Sequence, residues 1–184
     1  MKKFFAMLAV GLIVLSCAPG FAAEKTGILI IAPVEFKSQD FIKLATEVFG
    51  KNYDISQGTQ DAWATYCWDK GLPDTDALPT KETLADFAST TDYDKIIFVI
   101  FKDADKTAED LGYSRGLFGS VSHDVRYRTA LGARVVIMTR DGQTLKVFEE
   151  THTDASGASD LRANRGAFKG LCKRISDRLG GKKK

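Results

Sequence analysis

The sequence predicts an α/β (α+β) domain: a mixed β-sheet in two or three layers, carrying an Asp-Gly hairpin and covered by helices. Three observations predict it. Apolar, β-rich runs occur at 27–36 (GILIIAPVEF) and 96–101 (IIFVIF), a paired-strand signal surrounds Asp141 and Gly142, and helical stripes lie between and after them. Read along the chain the order is β-α-(β)-α-α-β-β-β-α, without an internal repeat.

The run 27–36 is continuous enough to be buried on both faces. Ser38 is placed to cap a helix over 39–49, Asp40 suits its first turn, and Gly50 ends it. Phe41, Leu44, Ala45 and Val48 form that helix's apolar stripe. A short second strand is expected at 53–56. Residues 57–80 read as a helical insertion, with a helix over 59–70 that puts Trp63, Tyr66 and Cys67 on one face and stops at Gly71. A loop rich in Pro and Asp follows over 72–79. Thr80 then caps a helix to about residue 89, which packs through Leu84, Phe87 and Ala88.

The run 96–101 belongs at the centre of the sheet. Residues 102–124 are polar and Gly-bearing and read as a long loop. Strands at 125–139 and 144–151 flank Asp141-Gly142, a two-residue hairpin signal. That register sets Val136 opposite Val147 and Arg134 opposite Glu149, the latter a cross-strand ion pair. The closing helix, over 158–179, carries the stripe Leu161, Phe168, Leu171, Cys172, Ile175 and Leu179. Its other face is cationic. Such a helix can lie on a membrane, but the sheet needs covering, and packing there is the expectation.

The first residues address the chain. Lys2 and Lys3 precede an uncharged, mostly apolar run over 4–15, and Ser16, Ala18, Pro19 and Gly20 follow, the layout of an export signal. The run is shorter than the roughly 20 residues that span a bilayer. Cleavage after Ala22 puts Gly20 and Ala22 at the small-residue positions; Val14-Leu15-Ser16-Cys17 also resembles a lipobox, which would make Cys17 the lipid-bearing first residue. The expected organisation is a signal peptide at 1–22, one domain at 23–180 and a basic tail at 181–184, located in the periplasm or outside the cell, with anchoring through Cys17 as the alternative. Two of the 26 lysines and arginines fall in the leader, so the remainder balances the 24 acids. A neutral domain has no general electrostatic claim on nucleic acid or anionic lipid. In an oxidising compartment Cys67 and Cys172 are a candidate disulfide, closing a loop of about 105 residues and contributing about 3–5 kcal/mol. The alternative is two separately buried thiols on helix faces.

The strand ILIIAPVEF, a helix, the segment DYDKIIFVIF, the hairpin ARVVIMTRDGQTLKVFEE and a long closing helix together resemble a group of bacterial envelope domains. The group includes the curli-secretion lipoprotein, the lipoprotein activators of penicillin-binding proteins, and the amino-terminal domain of the Tol-system propeller protein. The likeness covers nearly all the chain after the leader in element order, with no residue-level motif. It implies a protein that binds other envelope components rather than a catalyst. In the pore-forming member the segment before the hairpin becomes a membrane-spanning strand pair; the charge in 102–124 argues against that role here.

Candidate chemistry is sparse. Gly112-Tyr113-Ser114-Arg115-Gly116 matches G-x-S-x-G, but a hydrolase elbow needs its serine on a tight turn between strand and helix, and neither flank fits. His152 and Asp124 supply the other triad members by residue type only. His123 and His152 are separated by eight positions of strand register, about 27 Å, too far to share a metal ion. The three glycines at 112, 116 and 119 match no phosphate loop. No cofactor is expected. Trp68 points away from the Trp63/Cys67 stripe and is the candidate partner contact. The expected function is therefore an exported, non-enzymatic binding or assembly module for an envelope protein or polymer. The contact would lie on an uncovered sheet face, the 57–80 insertion or the 102–124 loop. The alternative is a small secreted serine hydrolase using Ser114.

Overall fold

A computed structural model describes residues 24–72, 78–116 and 118–180. The leader with Cys17 and the tail at 181–184 lie outside the described residues. The elements are β1 (Thr26–Ile31), a 3-10 turn (Val34–Phe36), α1 (Gln39–Phe49), α2 (Gln57–Asp69), α3 (Lys81–Thr90), β2 (Lys95–Phe101), β3 (Asp105–Arg115), β4 (Val121–Thr139), β5 (Thr144–Ser156) and α4 (Asp160–Leu179). The α/β class and mixed sheet hold.

Apolar runs make the centre. β1 and β2 pair in parallel, and β2 pairs antiparallel with residues 133–139 of β4. Because side chains alternate along a strand, β2 feeds two cores. Ile97, Val99 and Phe101 join α1 and α4 on one face, hereafter the first, while Ile96, Phe98 and Ile100 join α3 and the edge of α2 on the second. Helices therefore cover both faces, giving three layers over β1 and β2. The first-face core holds an aromatic stack in which Phe168 lies 4.7 Å from Phe101 and 5.9 Å from Phe36. On the second face Trp63, Tyr66 and Phe87 pack ring against ring at 5.0–5.6 Å.

β1 stops at Ile31, short of the expected residue 36. Pro33, which has no N–H for a ladder, enters a 3-10 turn that sends Phe36 into the first-face core. The second strand expected at 53–56 reduces to one bridge, Asp54 to Gly27. It is held by the Tyr93 hydroxyl, which donates to Asp54 Oδ2 at 2.8 Å and lies 2.9 Å from Thr59 Oγ1. Thr80 caps α3, and Ser56 and Ser159 cap α2 and α4; Ser38 precedes α1 without a side-chain cap.

The hairpin keeps the expected register along its length, with Val136 opposite Val147 and Arg134 opposite Glu149. Near the loop it shifts by one residue, so the connection is four residues rather than a two-residue turn. Glu149 makes its ion pair with Lys102 at 2.9 Å, not with Arg134. α4 lies on the sheet, but its buried stripe includes Ala163, Asn164 and Ala167, and Leu161 is exposed. Two glycines of α4 let β5 approach: a Cβ on Gly166 would collide with Asp154, and one on Gly170 with His152.

The largest departure is at 102–124. These residues are not a loop. Lys102 N–H continues the ladder to Gly132 O at 2.8 Å, and β3 then pairs residue by residue with the amino-terminal half of β4. β2 and β3 lie end to end along one edge of β4, with β5 along the other.

Candidate functional site

β5 ends opposite Tyr127, so residues 121–126 of β4 pair with β3 alone. Six residues of strand carry this two-stranded ribbon roughly 20 Å past the three-stranded part. Its shape follows from local chemistry. Leu111 forms a bulge, where the register shifts between Asp110 and Gly112, and Asp110 Oδ1 accepts the Gly112 N–H at 2.7 Å. At the tip, Gly119 N–H donates to Gly116 O and Gly116 N–H to Ser120 O, at 3.0 and 2.8 Å.

The ribbon's two faces differ. Strand alternation places Tyr113, Val121, His123, Val125 and Tyr127 on one face, continuous with the side that α4 covers, because Thr129 on that face bonds Asn164 of α4 at 2.7 Å. The opposite face carries Glu109, Ser114, Ser122, Asp124, Arg126 and Arg128. Tyr113 is 79% exposed and Phe118, at the tip, 100%; Leu111 and Val121 are also exposed. Four large apolar side chains are thus exposed on the projecting element.

The ribbon explains the predicted chemical residues. Ser114 sits inside a strand, its hydroxyl 2.8 Å from that of Ser122, which in turn donates to Asp124 at 3.2 Å. His123 projects from the other face, 2.8 Å from Asp110 Oδ1 and packed against Tyr113. The Asp110 carboxyl is held below its usual range, first by the Gly112 N–H and then by His123. Ser114, His152 and Asp124 do not form a triad: His152 stands opposite Leu131, against Gly170. The same register separates His123 from His152.

A second feature is an apolar cleft of about 560 Å³ at the carboxyl end of β1, between the start of α1, α2 and the approach to α3. Its walls include Ile31, Phe36, Ile42, Trp63, Leu72 and Leu78. The outer edge of β1 is closed there by a side chain. The Gln60 carboxamide, oriented by this contact, donates to Ile30 O at 3.0 Å and accepts from Ile30 N–H at 3.3 Å, as a neighbouring strand would. Behind it, α2 is tied to α3. The Tyr66 hydroxyl donates to Asp86 at 2.7 Å and is pushed up to about 12, by burial first and by Asp86 second. Asp86 is correspondingly held low, by that hydroxyl and then by Lys70.

The expected disulfide is absent. Cys172 is buried between α4 and the first face, where burial pushes its thiol well up, and Cys67 lines the cleft on α2, beyond the β1 edge. They belong to helices of different layers, a separation that sequence spacing cannot reveal. Trp68 is 85% exposed on α2, outside the cleft. Sequence reasoning missed the ribbon, although a signal existed. Val121, Val125 and Tyr127 alternate with Ser122, Asp124, Arg126 and Arg128 at the strand period.

No family model and no curated protein matches the chain. Among solved structures it is similar to lipoprotein GNA1162 from Neisseria meningitidis, at 14% identity over 85% of this chain and 98% of that one, with a TM-score of 0.40. Of the resemblance drawn from element order, the word lipoprotein alone recurs, and no residue or activity comes with it. Among the described residues no helix is long and apolar enough to cross a membrane.

Proposed function

We propose that this chain is an exported, non-enzymatic protein of the bacterial envelope, acting as a binding or assembly module whose contact surface is the β3–β4 ribbon. The observation that carries the reading is the ribbon itself, an element that leaves the helix layers behind and presents Tyr113 and Phe118 to solvent. Aromatic anchors on a backbone-paired support can bind a partner without first ordering a loop. The partner class is an envelope protein or polymer, and Trp68 is a second candidate contact. The leader supports either release after Ala22 or lipid attachment at Cys17.

The test places a photoreactive amino acid at position 118 and, as control, at the exposed position 173 of α4 in cells that make the chain. A discrete crosslinked product from 118 that is lost on Tyr113→Ser, with none from 173, is the expected result. Equal products from both positions, or none from 118, would overturn the ribbon assignment. Ser114 remains the test of the catalytic alternative: fluorophosphonate labelling abolished by Ser114→Ala would replace binding with hydrolysis. The intact mass of the native protein separates the two anchoring states. A polypeptide starting at Ala23 indicates release, and one starting at Cys17 with acyl mass indicates a lipoprotein.

A further inference from the structure

The outer strands of a sheet present unpaired N–H and C=O groups, which another strand can pair with unless something occupies them. Two of the edges here are occupied. On β1, Ile28 N–H donates to Asp54 O at 2.8 Å and the Gln60 carboxamide closes Ile30. On β5, Arg178 Nη1 donates to Glu149 O at 3.1 Å, and Ala155 N–H is turned onto Asp154 Oδ1 at 2.8 Å. The outer edge of β3 is different. Lys102 N–H donates to Gly132 O, so the even-numbered residues of β4 direct their backbone groups to the β2–β3 side. Ala130, Arg128 and Arg126 therefore bond Asp105, Thr107 and Glu109, and the backbone groups of Lys106, Ala108 and Asp110 face outward. Among the described residues none bonds these outward groups. A second open stretch, residues 121–126 of β4 past the end of β5, is about half as long.

The charges along β3 decide which strand fits this edge. Where two copies of β3 pair antiparallel about a two-fold axis, facing residue numbers have a constant sum. The register centred on Ala108 sets Lys106 opposite Asp110 of the second copy, twice over, and Thr107 opposite its Glu109. Neighbouring registers oppose like charges, which destabilise a strand pair. Centred on Lys106, Glu109 or Asp110, a charge meets its own copy; centred on Thr107, Asp105 meets Glu109. Lys106 and Asp110 already meet Glu35 and His123 within one copy. An ammonium has further donors and a carboxylate further lone pairs, so each takes a second partner. We infer that β3 pairs antiparallel with β3 of a second copy of this chain, the two-fold axis passing at Ala108, so that one sheet runs through both. The inference goes beyond the ribbon reading, since it uses a backbone edge rather than the aromatic tip, and either can fail without the other.

Sedimentation equilibrium of the purified full chain over a concentration series is the test, and a reversible monomer–dimer equilibrium is expected. Ala108→Pro removes an outward N–H and leaves the ladder to β4 intact, so it should weaken the dimer roughly tenfold or more. Thr107→Lys reports the register. Centred on Ala108, the new lysine faces Glu109 of the second copy and should tighten the dimer about threefold or more; centred on Thr107, it would face itself and loosen it. Lys106→Glu should loosen the dimer by about the same factor, while Lys106→Arg keeps it. Thermal unfolding reports which variants are folded, and Thr107→Lys decides the register whether or not Ala108→Pro folds. A monomer at every concentration would overturn the second copy, and the crosslink from position 118 would still test the tip. A dimer that folded Ala108→Pro does not weaken, or that Thr107→Lys loosens, would overturn the pairing at this edge.

Discussion

Gly27 shows how one residue can hold the segment between α1 and α2, where the sequence suggests only a short strand. A Cβ there would lie 2.5 Å from the Tyr93 ring, which is buried and whose hydroxyl engages Asp54 and Thr59. Gly27→Ala must therefore move a ring that anchors both the β1 edge bridge and the start of α2. A loss of about 1–3 kcal/mol, the usual cost of overpacking, is expected as a lower urea midpoint. Tyr66 and Asp86 give a pH-dependent counterpart. Hydrogen bonds from Tyr66 and then Lys70 lower the Asp86 pKa in the folded state, so the unfolded chain binds more protons there. That contribution is complete above the unfolded value of about 4 and is lost as pH falls through the folded one. Tyr66→Phe should thus lower stability at pH 7 and flatten the decline toward pH 3, as read by urea unfolding at both values.

Elements with a strong apolar period were legible, and those held by pairing alone were not. β2 and α1 follow from their runs and stripes, and the β4–β5 register follows from Asp141-Gly142 because burial of Val136 on one face forbids a one-residue slip. β3 was hidden because DKTAEDLGYSR is rich in charge and buries none of its side chains fully; its strand state comes from the partner backbone of β4. The cleft was hidden for another reason, since its walls come from the end of β1, α1, α2 and the approach to α3, whose packing together no sequence period announces. The closing helix was placed correctly but its stripe was misread at Leu161, because small residues rather than large ones face the closely approaching β5. The β4–β5 loop offers a direct check. Gly142 has φ +81°, and a Cβ on it would stand 2.9 Å from Ala85 Cβ of α3. Gly142→Ala should cost about 1–2 kcal/mol through left-handed strain and contact with α3, seen as a lower melting temperature.

At the scale of the molecule, the two cores and the proposed contact surface occupy different places. Both cores sit around β1, β2 and the carboxyl half of β4, while the ribbon buries little. Replacing residues 109–126 with a tight Asn-Gly turn should leave the melting temperature within a few degrees of the parent and abolish the crosslinks expected from position 118. A collapse of the fold would mean that the ribbon belongs to the core after all. The uninterrupted course of β4, from Val121 at the tip to Thr139 in the core, has a mechanical consequence. A load gripped at the tip is directed along the strand, so the hydrogen bonds to β2 and β5 bear it together, in shear. The carboxyl end of α4 meets a pull differently, since a helix peels away from a sheet one turn at a time. Held by the ribbon, the domain should withstand tension that would strip its last helix.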